Sequence, residues 1–508
     1  MNCDYFLFSH LYENNLNDLS GNKNEWLRDL VVLLEASDFP GMVVLFYDRG
    51  WQELVRGTLL GGDVAAALAV AEQAARTAER VEAAAQSLSS QAGSRVLVVT
   101  ALDLLPLVQR LGQSCAGVTA TKLANFLGTN FSGARYDFPK LIEAFLRLRN
   151  LGGCPVLRID QDVLFNTSKY PGTELHAPLG LAESVRTMVG EYRRRCALAD
   201  SPAFLMTGRY LNSAGTTVND WSRNDWLGAF ATRPFPALAV DSTGEPLFHA
   251  PTLQAYYGVD DSASHLKIDG EGLPAGLSRI GAPPVNSPIS GSLLTFNAPL
   301  VIEAPPFCNF RTNVVWIDDF LKFAMHRELH RLPNTTVSSA FSNSPLIATC
   351  ETVKERPPIS NARSYTLENY LPALVRGCVV DAWIQPDART KVDFSAAASS
   401  GPLIRHLQAA RQHGGLGAEQ ARSCRAELSQ SASVRLNEVR DQWARLPSVG
   451  DLPSLATEWS GRGELSSLIG LETLLEDTLE YIEWAVVWPV VTDAVRALPR
   501  GFLKFDLL

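Results

Sequence analysis

Two pairs of aspartates have the residue type and spacing that metal and acid–base chemistry needs. The first pair, Asp160 and Asp162, forms a D-x-D motif in the apolar run 153–165, which contains glycine and proline at its start and predicts a buried strand. Residues two apart on a strand share a face, and two such carboxylates repel unless a cation lies between them or one takes up a proton. Mg²⁺ and Mn²⁺ prefer hard oxygen ligands together with phosphate oxygens and water. The motif therefore indicates a divalent-metal site that carries phosphates; a strand followed by a solvated acidic turn is the alternative.

The second pair, Asp318 and Asp319, follows a short apolar run and begins an apparent helix over residues 320–332. Acidic residues at a helix start also favour the positive end of the helix dipole, so the pair has a structural alternative. His326 and His330 lie four residues apart and share a helix face with Asp319. Because a helix rises about 1.5 Å per residue, Asp319 and His326 are about 10 Å apart along the axis and do not readily share one ion.

Composition limits the class of protein. With 508 residues the chain is too long for one ordinary core, so we expect two or three domains. A hydrophobic fraction of 46% with 19% charged residues is typical of a globular protein rather than a disordered one. The net charge of -9 argues against a general nucleic-acid binder, because phosphate neutralisation needs a basic surface. Any site for a polyanion must therefore be local.

Cysteine spacing and hydropathy predict a cytoplasmic protein. The eight cysteines are scattered without a C-x-x-C motif or a histidine at zinc-ligand spacing, which favours reduced, buried thiols over disulfides. The first residues lack the basic stretch and the longer apolar run of a signal peptide. The uncharged run 281–302 is interrupted by prolines and is a poor spanning helix, so we expect no transmembrane segment.

The elements that must position the aspartates alternate between strands and helices in the N-terminal third. In chain order we predict a strand at 4–9, a helix at 22–37, a strand at 42–47, a helix at 63–90, a strand at 95–99 and a helix at 140–151. The D-x-D strand follows the last of these. Strands that alternate with helices of this length imply an α/β fold with a mostly parallel sheet, right-handed crossovers and flanking helices.

The C-terminal part of the chain has a different pattern. From about residue 365 onward helical periodicity dominates, with a long amphipathic candidate at 419–446 and apolar residues at helical spacing from 465 as far as Pro489. We therefore expect two domains, an α/β domain over 1–340 and a mostly helical domain over 341–508. Such a helical domain is suited to binding an acceptor or, through its helices, a second subunit.

The order of these parts resembles the nucleotide-diphosphosugar glycosyltransferases of the GT-A fold, in particular the family 2 type. The second predicted strand ends at an acidic residue, Asp48, and an Asn/Gly/Arg-rich segment, 130–136, precedes the helix before the D-x-D strand. A glycine-containing strand, 290–297, then precedes the acidic pair at 318–319. The resemblance covers roughly residues 1–335 and rests on the order of motifs.

The resemblance implies a metal-dependent transfer of a sugar from a nucleoside-diphosphate sugar. By it, Asp48 holds the nucleobase or ribose, and Arg135 meets phosphate oxygens. Asp162 is the direct ligand of Mn²⁺ or Mg²⁺, while Asp160 supports the metal through water or touches the ribose. His326, or else His330, is a candidate third ligand.

The same resemblance assigns the catalytic pair. Asp319 is the general base that deprotonates the acceptor hydroxyl in an inverting displacement, and Asp318 orients the acceptor or the base. The acceptor is a glycan, lipid, protein or small molecule. The Q-x-x-R-W motif of processive synthases does not follow the acidic pair, which argues against polymer synthesis at a membrane.

Two alternatives belong to other classes of protein. A phosphatase of the haloacid dehalogenase type also places D-x-D after an apolar strand, with the first aspartate, here Asp160, as nucleophile. Against it, three predicted strands come before Asp160, whereas that motif normally begins the fold. A non-catalytic α/β scaffold with a helical interaction domain is the second alternative, because a fold does not fix a function.

Overall fold

The structure is a computed structural model of the 508-residue chain. It describes residues 4–11, 22–36, 40–115, 119–128, 371–384, 401–444 and 451–506, with short segments at 156–158, 163–164, 205–206, 209–212, 295–296, 351–354 and 367–368 and single positions at 142, 145, 146, 149 and 189.

A four-stranded parallel sheet organises the N-terminal part. Its strands are β1 (Tyr5–Leu11), β2 (Gly41–Tyr47), β3 (Val96–Thr100) and β4 (Val156–Arg158), in the order β3-β2-β1-β4. The predicted α/β class with a parallel sheet is confirmed at this level. Every residue of β1 and β2 is buried, as expected where helices cover both faces of a parallel sheet.

Helices flank this sheet on both faces. They are α1 (Asn22–Ala36), α2 (Trp51–Leu60), α3 (Val64–Leu88), the short α4 (Ser90–Gly93), α5 (Ala101–Ser114) and α6 (Ala120–Leu127). Because side chains alternate along a strand, Phe6 and Phe8 of β1 pack with α2, α5 and α6, while Tyr5 and Leu7 pack with α1 and α3. The five elements predicted up to residue 100 begin and end within two residues of the observed ones.

Two short described strands belong to the apolar run around the D-x-D motif. They are β4 in the parallel sheet and β5 (Val163–Leu164) in a second sheet. Residues 159–162, which include both aspartates, lie outside the described residues, so the single strand predicted there stays a prediction. The second sheet has the order β5-β9-β7, with β7 at Arg209–Asn212 and β9 at Glu351–Lys354. A further pair joins β6 (Leu205–Met206) to β8 (Thr295–Phe296).

The C-terminal residues form helices, as their periodicity predicts. These are α7 (Leu371–Ile384), α8 (Pro402–His413), α9 (Ala418–Trp443), α10 (Asp451–Ser460), α11 (Leu465–Leu468) and α12 (Leu471–Arg496). Their core contains Trp383, whose indole N–H donates to the Leu428 carbonyl at 2.8 Å, and the neighbouring rings of Trp443 and Trp459. In the part of the chain that the structure describes, no helix is long and apolar enough to cross a membrane.

The last helix, α12, contributes to both cores. Its first half packs among the C-terminal helices, whereas Trp484 and Trp488 in its second half pack against α6 and the parallel sheet. Trp484 stacks on Phe126 with ring centroids 4.1 Å apart. The boundary predicted at 340/341 lies outside the described residues and stays a prediction; the contact between the two parts of the chain is extensive all the same.

The apolar pattern predicted up to Pro489 understates this helix, which continues to Arg496. A proline inside a helix removes one backbone hydrogen bond and costs about 3 kcal/mol or more. Val491 and Val495 beyond it are fully buried against the sheet core, and the hydroxyl of Thr492 donates to the Pro489 carbonyl at 2.9 Å. Burial of these side chains on the sheet therefore outweighs the local penalty.

A second set of contacts, which we call the C-terminal clamp, joins Arg149 to the end of α12. The guanidinium donates to both carboxylate oxygens of Asp506, at 2.8 and 2.7 Å, and these side chains are only 8% and 5% exposed. It also donates to the carbonyls of Val495, Leu498 and Pro499 at 3.1, 2.8 and 2.8 Å. Arg149 therefore caps the last carbonyls of α12 and neutralises a buried acid at the same time.

Lys504, in a 3₁₀ turn at Lys504–Asp506, covers the outer strand of the described sheet. Its ammonium donates to the Val98 carbonyl at 2.8 Å and to the Glu82 carboxylate at 2.9 Å, and the same carboxylate accepts from the Val98 N–H at 2.7 Å. The backbone groups of Val98 that point away from β2 are thereby satisfied. We call this arrangement the β3 edge cap, because it blocks pairing of another strand with β3.

Candidate functional site

The strand order identifies the part of the sheet where a ligand is expected. From β1 the chain adds β2 and then β3 on one side, and it returns to the other side of β1 with β4. In open α/β sheets, ligands bind beyond the carboxyl ends of the strands where the strand order reverses. This position lies between β1 and β4, next to the end of β2, and we call it the switch-point edge.

Two ionisable side chains meet at the switch-point edge. His10 lies near the end of β1 and Asp48 follows the last residue of β2, and the imidazole Nε2 is 3.3 Å from the carboxylate Oδ2. The His10 side chain is 7% exposed and that of Asp48 is 29% exposed. The pair thus has a buried member inside the sheet and a partly exposed member that faces solvent. Among the described residues, the structure gives the Asp48 carboxylate one ion-pair contact, to His10.

The backbone after β2 holds Asp48 in place. The Trp51 N–H donates to the Asp48 carbonyl at 2.9 Å, and Gly50 takes a φ of 80° before α2 begins. A side chain is strained at this φ, and a Cβ on Gly50 would also lie 3.2 Å from the Ala71 nitrogen of α3. The Trp51 indole donates to the Leu127 carbonyl at the end of α6, at 2.6 Å. The turn that carries Asp48 is therefore fixed by two neighbouring helices.

Aromatic rings support His10 from below. His10 pairs with Phe46 in the β1–β2 register, and the two rings stack with centroids 6.0 Å apart and planes inclined by 26°. The rings of Phe46 and Trp51 are nearly perpendicular, with their centroids 6.2 Å apart. One face of the imidazole therefore packs against Phe46, and its Nε2 lies 3.3 Å from Asp48 Oδ2.

The carboxylate that follows β3, that of Asp103, belongs to a helix cap. Asp103 accepts from both the backbone N–H and the hydroxyl of Thr100, each at 2.8 Å, and so caps the start of α5. The ammonium of Lys504 lies 4.0 Å away. This carboxylate is occupied by contacts that stabilise the fold, and the candidate site is therefore confined to the ends of β1, β2 and β4.

Of the site residues predicted from the sequence, Asp48 is the one that the structure describes. The remaining ones lie outside the described residues: Arg135, Asp160, Asp162, Asp318, Asp319 and His326. By sequence position Asp160 and Asp162 follow Arg158, the last residue of β4, by two and four residues. Within the described ranges there is no group of three or more histidine, cysteine or acidic side chains that could hold a metal ion.

The buried thiols are not candidates for a nucleophile. Burial raises the pKa of Cys115, and burial together with the charge of Glu427 raises the pKa of Cys424 to about 12. A thiol must ionise to react, so these cysteines are neutral packing groups at physiological pH.

Sequence reasoning missed His10. The predicted strand ended one residue before it, and a single histidine in the apolar segment Tyr5–Leu11 has the pattern of a core residue. Only the parallel pairing of β1 with β2, which joins residues far apart in sequence, brings it to Asp48. Comparisons with protein-family profiles, with curated proteins and with solved structures found no match.

Proposed function

We propose that this protein is a metal-dependent glycosyltransferase with a GT-A-like fold, which transfers a sugar from a nucleoside-diphosphate sugar to an acceptor with inversion. The observation that carries the proposal is the parallel pairing of β4 with β1. This pairing brings the strand that leads into the D-x-D motif next to the strand that carries His10, where the strand order reverses.

The register supports this interpretation. Phe8 of β1 pairs with Arg158 of β4, His10 follows Phe8 by two residues, and Asp160 follows Arg158 by two residues. Parallel strands have their carboxyl ends at the same edge of a sheet, so the chain leaves β4 at the edge where β1 ends. The proposed donor site therefore has an acidic group from the β2 end on one side of β1 and the D-x-D motif from the β4 end on the other.

The chemistry follows from the charge that develops on the leaving group. As the glycosidic bond breaks, the nucleoside diphosphate gains negative charge, and a bound Mn²⁺ or Mg²⁺ stabilises that charge as a Lewis acid. In the proposal Asp162 binds the metal with support from Asp160, and Arg135 meets phosphate oxygens. Asp48 binds the nucleoside, where a partly exposed carboxylate can accept hydrogen bonds from the base or the ribose.

The acceptor half of the reaction is proposed on the acidic pair. Asp319 takes the proton from the acceptor hydroxyl as the sugar is transferred, and Asp318 orients it. His326 is the proposed third metal ligand. The C-terminal helices, which pack against the sheet through α12, are the proposed site for acceptor or subunit binding.

The experiment that tests the proposal is thermal unfolding of the full chain with UDP-, GDP- and CDP-sugars, each with and without Mn²⁺. A ligand that binds only the folded state raises the melting temperature by mass action. We expect a metal-dependent rise with one nucleotide family, which is lost in Asp162→Ala. Asp493→Ala is the matched control, because this acid is 75% exposed on α12, where it pairs with Arg496.

Two other results would contradict the proposal or favour a different enzyme class. If no nucleotide sugar changes the melting temperature in the presence of Mn²⁺, the proposal is wrong. A rise with Mg²⁺ and beryllium fluoride, a phosphate mimic, would then favour a phosphatase that uses Asp160 as nucleophile.

A further inference from the structure

The structure points to a role for His10 that the sequence did not indicate. We infer that His10 is a positioning residue, which holds the carboxylate of Asp48 in the orientation that receives the nucleoside part of the donor. This inference rests on the proposed function, because it concerns the same donor site. Its basis is the 3.3 Å separation between Nε2 and Oδ2 at the switch-point edge.

The imidazole of His10 is buried at the end of β1. A polar group that is only 7% exposed loses most of its contact with water, and this costs free energy unless a partner replaces the water. The Asp48 carboxylate provides a polar contact at 3.3 Å from Nε2. The ring cannot follow a moving carboxylate, because it is stacked on Phe46 within β1 and β2. A fixed imidazole therefore limits the positions that the Asp48 carboxylate can take.

The carboxylate of Asp48 is only partly covered. Its side chain is 29% exposed, so it faces the space beyond the sheet while its Oδ2 lies 3.3 Å from the His10 imidazole. A carboxylate has two acceptor oxygens with about four lone-pair sites, so Oδ1 stays able to accept an N–H from a base or an O–H from a ribose. Holding this side chain in one rotamer before the ligand arrives removes part of the ordering cost of binding.

β1, which carries His10, is an inner strand of the sheet. β1 is the strand between β2 and β4, so His10 lies between the strand that precedes Asp48 and the strand that precedes the D-x-D motif. At this edge of the sheet a buried imidazole therefore lies beside the strand end that precedes Asp48.

The test compares His10→Leu, which removes the donor and keeps apolar volume, with His10→Gln, which keeps an N–H donor. Binding of UDP, GDP and CDP with Mn²⁺ to the full chain is measured by calorimetry, with Mn²⁺-pyrophosphate as a ligand without a nucleoside. For the nucleotide that the wild type binds, we expect His10→Leu to weaken affinity about tenfold, which corresponds to 1.4 kcal/mol. We expect His10→Gln to stay within about threefold, and pyrophosphate binding to be equal in all three proteins.

A double-mutant cycle separates positioning from general damage to the fold. If His10 acts through Asp48, the His10→Leu change has little further effect on nucleotide affinity in an Asp48→Ala protein. Circular dichroism and urea unfolding of each variant confirm that the compared proteins are folded.

Failure of the inference and failure of the proposed function give different results. If the wild type binds none of the nucleotides with Mn²⁺, the proposed function fails, and the inference fails with it. If the wild type binds one of them and His10→Leu binds it equally well, the inference alone is wrong. Independent effects of the two substitutions in the cycle overturn it as well.

Discussion

The switch-point edge and the C-terminal clamp both contain a carboxylate beside a basic side chain, yet they differ in almost every other respect. In the clamp, Asp506 is 5% exposed and receives two hydrogen bonds from Arg149, whose remaining N–H groups are used by backbone carbonyls. At the switch-point edge, Asp48 is 29% exposed and has a 3.3 Å contact with His10.

The difference teaches how to separate structural from functional charge in this fold. A buried charge is stable only if its hydrogen-bonding capacity is filled, and the clamp meets this requirement. A carboxylate that is to bind a ligand must keep an accessible acceptor, and Asp48 meets that requirement instead. We therefore expect substitutions in the clamp to change stability and substitutions at the edge to change binding.

The largest expected effect is that of Arg149→Met. This change leaves Asp506 buried without its cation and removes the donor from three carbonyls at the end of α12. Breaking a buried pair from one side costs about 3–5 kcal/mol of unfolding free energy, which urea denaturation measures. Arg462→Met is the matched control, because its pair with Glu458 is exposed and contributes about 0.5 kcal/mol or less. Equal losses in the two variants would contradict the comparison.

The β3 edge cap is expected to give a smaller loss. Lys504→Met removes the donor to the Val98 carbonyl and the cation beside Glu82, both of which are partly buried. We expect a decrease of about 1–2 kcal/mol in the free energy of unfolding, measured in urea. Lys122→Met is the control, since Lys122 and Glu483 form an exposed pair between α6 and α12. A larger loss from the control than from Lys504→Met would show that the edge cap is not stabilising.

Cys424 is a buried group of a third kind, because it is neutral in the folded chain at physiological pH. Its pKa is raised to about 12 in the folded chain, above the value of 9.0 for a free thiol, so the unfolded chain loses this proton first as the pH rises. The contribution of Cys424 to stability is therefore fully present below pH 9 and is lost progressively between pH 9 and pH 12. At pH 10 we expect a loss of about 1 kcal/mol relative to pH 7.

This prediction is checked by urea unfolding of the wild type and Cys424→Ala at the two pH values. The wild type is expected to lose more stability between pH 7 and pH 10 than the variant does. An identical pH dependence of the two proteins would rule out the contribution of the thiol. Peptide mapping after a short treatment with iodoacetamide at pH 8 provides a second check, because a neutral, buried thiol is not alkylated in the folded chain.

The smallest expected change in stability is that of Asp48→Asn, and it accompanies the largest change in binding. An amide keeps an acceptor oxygen for His10, so we expect the free energy of unfolding to change by less than about 0.5 kcal/mol. The affinity for the nucleoside diphosphate with Mn²⁺ is expected to fall at least tenfold. Asp103→Ala gives the reverse pattern: loss of the cap of α5 costs about 1 kcal/mol and leaves nucleotide affinity unchanged. If Asp103→Ala weakened nucleotide binding more than Asp48→Asn, the site would have to be moved toward β3.

Local pattern predicted most of the elements and one part of the site. The buried strand Gly41–Tyr47 was predictable because it is a continuous apolar run that begins after a Pro-Gly turn, and the helix Val64–Leu88 because it is a long alanine-rich stretch. Asp48 was predictable as well, because it ends an apolar strand. The helices Trp51–Leu60 and Ala101–Ser114 were not predicted; both follow their strands directly, and the second contains Pro106, which disfavours a helix locally.

The sequence by itself therefore determined the alternation of strands and helices and the carboxylate after β2, since hydrophobic period and turn residues act over a few positions. Tertiary structure alone decided the strand order, the contact of His10 with Asp48, and the clamp between Arg149 and Asp506, which are 357 residues apart. It also carried α12 past Pro489, because burial against the sheet outweighed a local penalty. These features depend on which distant segments exclude water together, and no short stretch of sequence encodes that choice.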